Sequence, residues 1–200
     1  MPASDHGAFL PPPAETEDVR RMYDEDLAGD GFVMNLTRVW AHAPGLQERT
    51  TALLAGAAAT AGLTHRQRGV LVAACAAARG DSYCSLAWGS RLAAEAGDDV
   101  AVAVLEGRDE DLDPADRALA RWARQVARDP NGTTREDVEA LRAAGFDDAR
   151  VLALTVYVAA RVAFSAVNGA LGAAPDGAYR TLAPEPVRRA VSYGRPISAG

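Results

Sequence analysis

Lysine is absent from this 200-residue chain; all 21 basic side chains are arginine. Schiff-base and lysine-base chemistry are thereby excluded. Cysteine is scarce as well, with two residues, too few for a disulfide framework. The three histidines, His6, His42 and His65, are scattered and show neither His-x-x-x-His nor Glu-x-x-His spacing, so no metal site is expected. Positive charge is in deficit: 27 acidic residues leave a net charge of −6. No basic patch is available to displace counterions from phosphates, and a nucleic-acid partner is not expected. A phosphate-cradling loop is missing too. The GDG at 29–31 lacks both strand and lysine context, and no cofactor is expected. The opening MPASDHGAFLPPPAETED has neither the basic nor the apolar region of a secretion signal, which points to the cytoplasm. Alternating strand patterns and internal repeats are also lacking.

What is present is ordinary globular composition, 48% hydrophobic and 24% charged, in a length that suits one domain. Residues 1–14 end in PPP and read as a disordered arm; 15–176 read as the domain and 177–200 as a C-terminal tail. Within the domain the pattern is helical almost throughout. Val19, Met22, Tyr23 and Leu27 share one face after Thr16. NLTRVWAHA forms a short helix stopped by Pro44, and a small-residue helix covers 45–60. LTHRQRGVLVAACAAAR starts at Thr64 and runs to Gly80, and the next helix covers 82–96. A short helix follows at 98–106. Asp113 with Pro114 opens another. Thr133 or Thr134 opens a capping-box helix closed by Gly145. The expected fold is an all-α bundle. Alanine-rich helices bury little area each, so a homo-oligomer is expected.

The longest apolar run, 151–172, is long enough to raise the question of a membrane. Arg161 lies at its centre and Asn168 follows; a charge at that depth is costly in lipid, so a buried helix of a soluble protein is expected. On this helix Tyr157, Arg161, Ser165 and Asn168 follow spacings of four, four and three and form one polar stripe. A buried arginine demands an anion. Two sources stay open: a substrate carboxylate or enolate in a pocket, or an internal ion pair with Asp or Glu, within the chain or across a subunit interface. Tyr157 would serve as acid or oxyanion donor beside it.

Three segments carry a family likeness: GFVMNLTRVWAHAPGL, LTHRQRGVLVAACAAARGDSYCSLAWG, and the long stretch from TREDVEALRAAGFDD to AVNGALGAAPD. Over residues 18–176 the chain resembles the alkylhydroperoxidase D and carboxymuconolactone decarboxylase family. The resemblance implies an alkylhydroperoxidase D-like helical bundle. Family peroxidases carry a Glu, eleven residues, Cys-x-x-Cys, three residues, then His, and use them as a proton relay with a peroxidatic and a resolving thiol. Here Gly69 stands at the Glu position, Asp81 at the first Cys, Cys84 at the second, and Trp88 at the His. One position of the four is kept, so the resemblance predicts a diverged active site.

Cys84 falls in the first turn of a helix, where free amides favour the thiolate. Asp81 as N-cap would occupy those amides and add a negative charge. Trp88, one turn on, has no proton-accepting nitrogen. A buried, inert thiol and an exposed one-cysteine peroxidatic site both remain, and a displaced pairing with Cys75 is conceivable. His42 is either a general base or the cap of a helix end. Candidate catalytic residues are therefore Cys84, Tyr157 and His42, and candidate substrate-binding residues are Arg161, Trp88, Asp81 and Asn168. The expected activity is non-redox acid/base chemistry of lyase, isomerase or cyclase type on a small organic acid or polar metabolite. A thiol peroxidase using Cys84, and a non-catalytic binding or scaffold oligomer, are the alternatives.

Overall fold

The computed structural model describes residues 7–199, and among them the only regular structure is helix. Helix α1 (Glu17–Gly29) starts where the Thr16 hydroxyl accepts from the Val19 amide. Helix α2 (Asn35–Trp40) is short. Pro44 does not merely stop it: as the first residue of α3 (Pro44–Ala61), where its missing N–H costs nothing, it opens the next helix. Helix α4 (His65–Arg79) begins in a full capping box between Thr64 and Gln67. Helices α5 (Ser82–Ala96) and α6 (Asp98–Glu106) follow. Helix α7 (Pro114–Arg128) is capped by Asp113, and the capping box of α8 (Arg135–Ala143) uses Thr134. The long α9 (Asp148–Ala170) precedes two short helices, α10 (Tyr179–Leu182) and α11 (Glu185–Ala190).

The centre of the bundle is α4. Val70 to Ala76 are each no more than 1% exposed. A helix apolar on every side has to be covered on every side, and α5, α6, α7 and α9 surround it. Arg66 ties it to α7, its Nε and Nη2 both on Asp116 Oδ2 at 2.9 and 2.6 Å. At Gly69 the approach of α5 is close: a β-carbon there would meet Leu92 Cβ at 3.2 Å. The α4–α5 reversal takes two residues. Gly80 adopts the left-handed conformation at φ 67°, closing α4, and Asp81 at once caps α5.

Helix α9 packs mainly along α3 and lays its buried side on α4 and α7. It is long and apolar enough to cross a membrane by length and composition. Its inner face is nonetheless built into the bundle core through Val151, Leu154 and Val158. From Gly7 onward the expected arm is laid against the bundle, with Phe9 N–H donating to Leu171 O at 2.8 Å and Ala174 N–H to Gly7 O at 2.8 Å; residues 1–6, including His6, lie outside the described residues. The segment expected as a tail also returns to the bundle. Val187 is fully buried, and the Tyr193 hydroxyl donates to Ser85 Oγ at 2.9 Å. Just before it, buried Asp176 accepts from the Tyr83 hydroxyl and, at 2.8 Å, from the Asn35 amide.

Candidate functional site

Helix α3, helix α5 and the inner face of α9 meet beside a cavity of about 390 Å³. Helix α5 contributes Cys84, Trp88 and Arg91; α9 contributes Tyr157, Arg161 and Phe164; α4 contributes Arg68; α1 contributes Asp26. Four of these, Arg68, Arg91, Asp26 and Phe164, were not picked out from the sequence. Arg68 and Asp26 sit in charged stretches that resemble solvated helix faces. Only the packing of α1 on α2 and α3, and of α4 on α5, turns them toward the cavity.

Arg161 is 8% exposed. Its guanidinium carbon lies 5.2 Å from the ring centre of Trp88 and 5.2 Å from that of Phe164, so two aromatic walls fix it. Nη2 stands 3.9 Å from Cys84 Sγ, and Nε, fully buried, has no partner. Among the described residues no carboxylate lies within 4.0 Å of Arg161 or of Arg68. Within this chain, then, no internal ion pair forms at Arg161 among the described residues. Tyr157 is 3% exposed on the same wall. Burial pushes its phenol above the usual range, while the positive charges of Arg161, Arg68 and Arg91 pull it back.

Cys84 is 2% exposed. Its amide donates to Asp81 Oδ1 at 3.0 Å, and Ser165 Oγ lies 3.8 Å from its sulfur. Burial, then the Asp81 charge, raise the thiol to about 12 against a weaker opposing pull from Arg161. The helix N-terminus that would otherwise favour a thiolate is occupied by the capping carboxylate. Cys75 is likewise free and buried, its thiol pushed up to about 11 chiefly by burial.

Trp88 lines the cavity without shutting it. Its ring is flanked by Arg91 at 5.2 Å as well as by Arg161, with the His65 ring 6.2 Å away. The structure brings Cys84, Trp88, Tyr157 and Arg161 together. It does not bring the other three. Asp81 is taken up by the cap and borders a separate cleft of about 280 Å³. Asn168, 1% exposed, accepts from Trp40 Nε1 at 2.8 Å, and Trp40 stacks on Phe164 at 5.1 Å; it holds a cavity wall from behind. His42 lies in the turn after α2, bonded through Nε2 to Pro11 O at 2.9 Å, and faces an apolar groove outside this cavity.

No family model matches the sequence, and no curated protein matches it. Solved structures do. The alkylhydroperoxidase AhpD core of an uncharacterized peroxidase-related protein from Ralstonia eutropha JMP134 is 27% identical, with a TM-score of 0.75 over 86% of this chain and 94% of that one. An uncharacterized peroxidase-related protein from Silicibacter sp. TM1040 is 17% identical, with a TM-score of 0.76 over 90% and 98%. The debrominase Bmp8, as a cysteine-to-alanine variant in complex with 2,3,4-tribromopyrrole, is 17% identical, with a TM-score of 0.69 over 86% and 95%. The chain has the alkylhydroperoxidase D-like fold, as its sequence resemblance implied.

Proposed function

We propose that this protein is an enzyme performing non-redox acid/base chemistry, of lyase, isomerase or cyclase type, on a small organic acid or polar metabolite. One observation carries the reading: Arg161 is buried on a cavity wall with no carboxylate beside it and with Nε unpartnered. A guanidinium buried without an anion is costly. A substrate carboxylate supplies the missing charge and accepts its N–H groups. Tyr157, its phenol raised by burial, stays protonated at neutral pH. It therefore donates, and an oxyanion developing beside the anchored carboxylate takes a hydrogen bond from it while the arginines offset the charge.

The thiol-peroxidase alternative needs Cys84 as thiolate, and a thiol near 12 supplies almost none at neutral pH. Two measurements test the choice. Small carboxylates should raise the melting temperature of the native protein and not that of Arg161→Met. Peroxide turnover should be negligible; appreciable turnover that disappears in Cys84→Ser would overturn the acid/base reading.

We further propose a cytoplasmic homo-oligomer. Its support is the outer face of α9, where Leu152, Val156, Ala159, Ala163 and Val167 are exposed without an intervening charge. Such a continuous apolar stripe suits a second copy better than water.

A further inference from the structure

Resting on the anion-anchor reading above, the charge inventory of the cavity goes one step further. Three guanidiniums line it: Arg68, Arg91 and Arg161. Arg91 is already compensated, with Nη2 3.2 Å from Asp30 Oδ1. Arg68 and Arg161 are not, and both have a buried Nε without a partner. Elsewhere in the molecule that same edge of an arginine is occupied: Arg66 closes its Nε and Nη2 on Asp116, and Arg142 its Nε and Nη2 on Asp148. Among the described residues Asp26 is the only carboxylate on the cavity wall. Its Oδ2 accepts from the Met34 amide at 2.9 Å, at the start of α2, and it pairs with no guanidinium. The two uncompensated cations belong to different helices, α4 and α9, yet line the same cavity.

We propose that the cavity binds a ligand carrying two carboxylates, one held by Arg161 and the other by Arg68. Two separated positive charges in one partly desolvated cavity repel each other, and a dianion removes both that repulsion and the two unmet donors. A monoanion leaves one of them in place. Each carboxylate is planar and matches the guanidinium fork. Tyr157 lines the same cavity and is available to the carbon skeleton that links the carboxylates.

The test uses the full-length native protein and calorimetric titration with malonate, glutarate and adipate, each against the monoacid of equal chain length. The expected result is that at least one dicarboxylate binds about tenfold or more tightly than its monoacid. Arg68→Met and Arg161→Met should each bring that dicarboxylate down to the level of the monoacid. Arg68→Lys, which keeps the charge and guards against a folding defect, should retain part of the advantage. Equal binding of mono- and dicarboxylates, or no dicarboxylate binding at millimolar concentrations, overturns the two-anchor proposal. So does undiminished dicarboxylate binding by Arg68→Met. If Arg161→Met still weakens monoacid binding, the anion-anchor reading survives that failure; if Arg161→Met changes nothing, both fall.

Discussion

At the scale of single residues, the state of the Cys84 thiol follows from its immediate neighbours and its burial. Cys84 sits one helical turn before a tryptophan and three residues after an aspartate, and that alone forecasts a thiol without a base. The structure adds the magnitude: the thiol rises to about 12 because the residue is buried and the Asp81 charge is close. The native protein should therefore react slowly with iodoacetamide at pH 8, and rapidly once unfolded, as followed by intact mass. The linked stability has a definite sign. The folded thiol holds its proton more tightly than the unfolded one, whose ordinary value is 9.0. Its contribution is complete below about pH 9 and is lost as pH rises from there towards 12, in total on the order of 4 kcal/mol. Denaturant midpoints measured across that range should fall, and Cys84→Ala should flatten the fall. Asn168 was legible as buried and polar from its place in the stripe on α9, but not as the partner of Trp40, since α2 and α9 are far apart in sequence. The same holds for the missed Arg68: periodicity tells which face of α4 it occupies, not that a cavity opens there.

At the scale of elements, the helices were readable because their ends are written in short range: Thr64 with Gln67, Asp113 with Pro114, Thr134 with Asp137. The short connection at Gly80 and Asp81 was readable for the same reason. Leu92 of α5 occupies the space beside Gly69, the position that the sequence resemblance aligns with the glutamate of the family peroxidases. Restoring that acid as Gly69→Glu should thus not rebuild a relay. It should force α5 away and bury an unpaired carboxylate, lowering stability by about 3 kcal/mol or more, readable from urea midpoints. Asp81 offers a subtler test. Asp81→Asn keeps an N-cap acceptor for the Cys84 amide and removes the charge. The Cys84 thiol should titrate lower than in the native protein, though still above the ordinary range because burial, the largest cause, is unchanged. Thiolate absorbance against pH reads the shift. Asp81→Ala should lower the thiol as well and also cost about 1 kcal/mol of helix capping.

At the scale of the whole molecule, α9 has two faces that answer different demands. The inner one carries Tyr157, Arg161, Ser165 and Asn168 among buried apolar residues, and it could be assigned from spacing alone. The outer one was not legible, because an apolar residue in a continuous apolar run gives no sign of whether core, lipid or another subunit will cover it. In the fold, Leu152 is 67% exposed, and Leu46 and Leu53 of the neighbouring α3 are 57% and 51% exposed. Exposed positions 152, 156, 159, 163, 166 and 170 follow alternating steps of four and three, the repeat by which two helices pack along a shared seam. The alanines among them let backbones come close. If a second copy covers this face, a charge placed in it is costly in the assembly and harmless in the isolated subunit. Val156→Glu should shift the protein to the monomer in sedimentation velocity while keeping its helical circular dichroism. A native protein that sediments as a monomer at every concentration would remove the oligomer. Because the opposite side of α9 bears Arg161, the same variant tests whether assembly and cavity are coupled. Dissociation that leaves carboxylate binding unchanged would make the cavity complete within one chain, as its lining of residues from seven helices of a single copy leads one to expect.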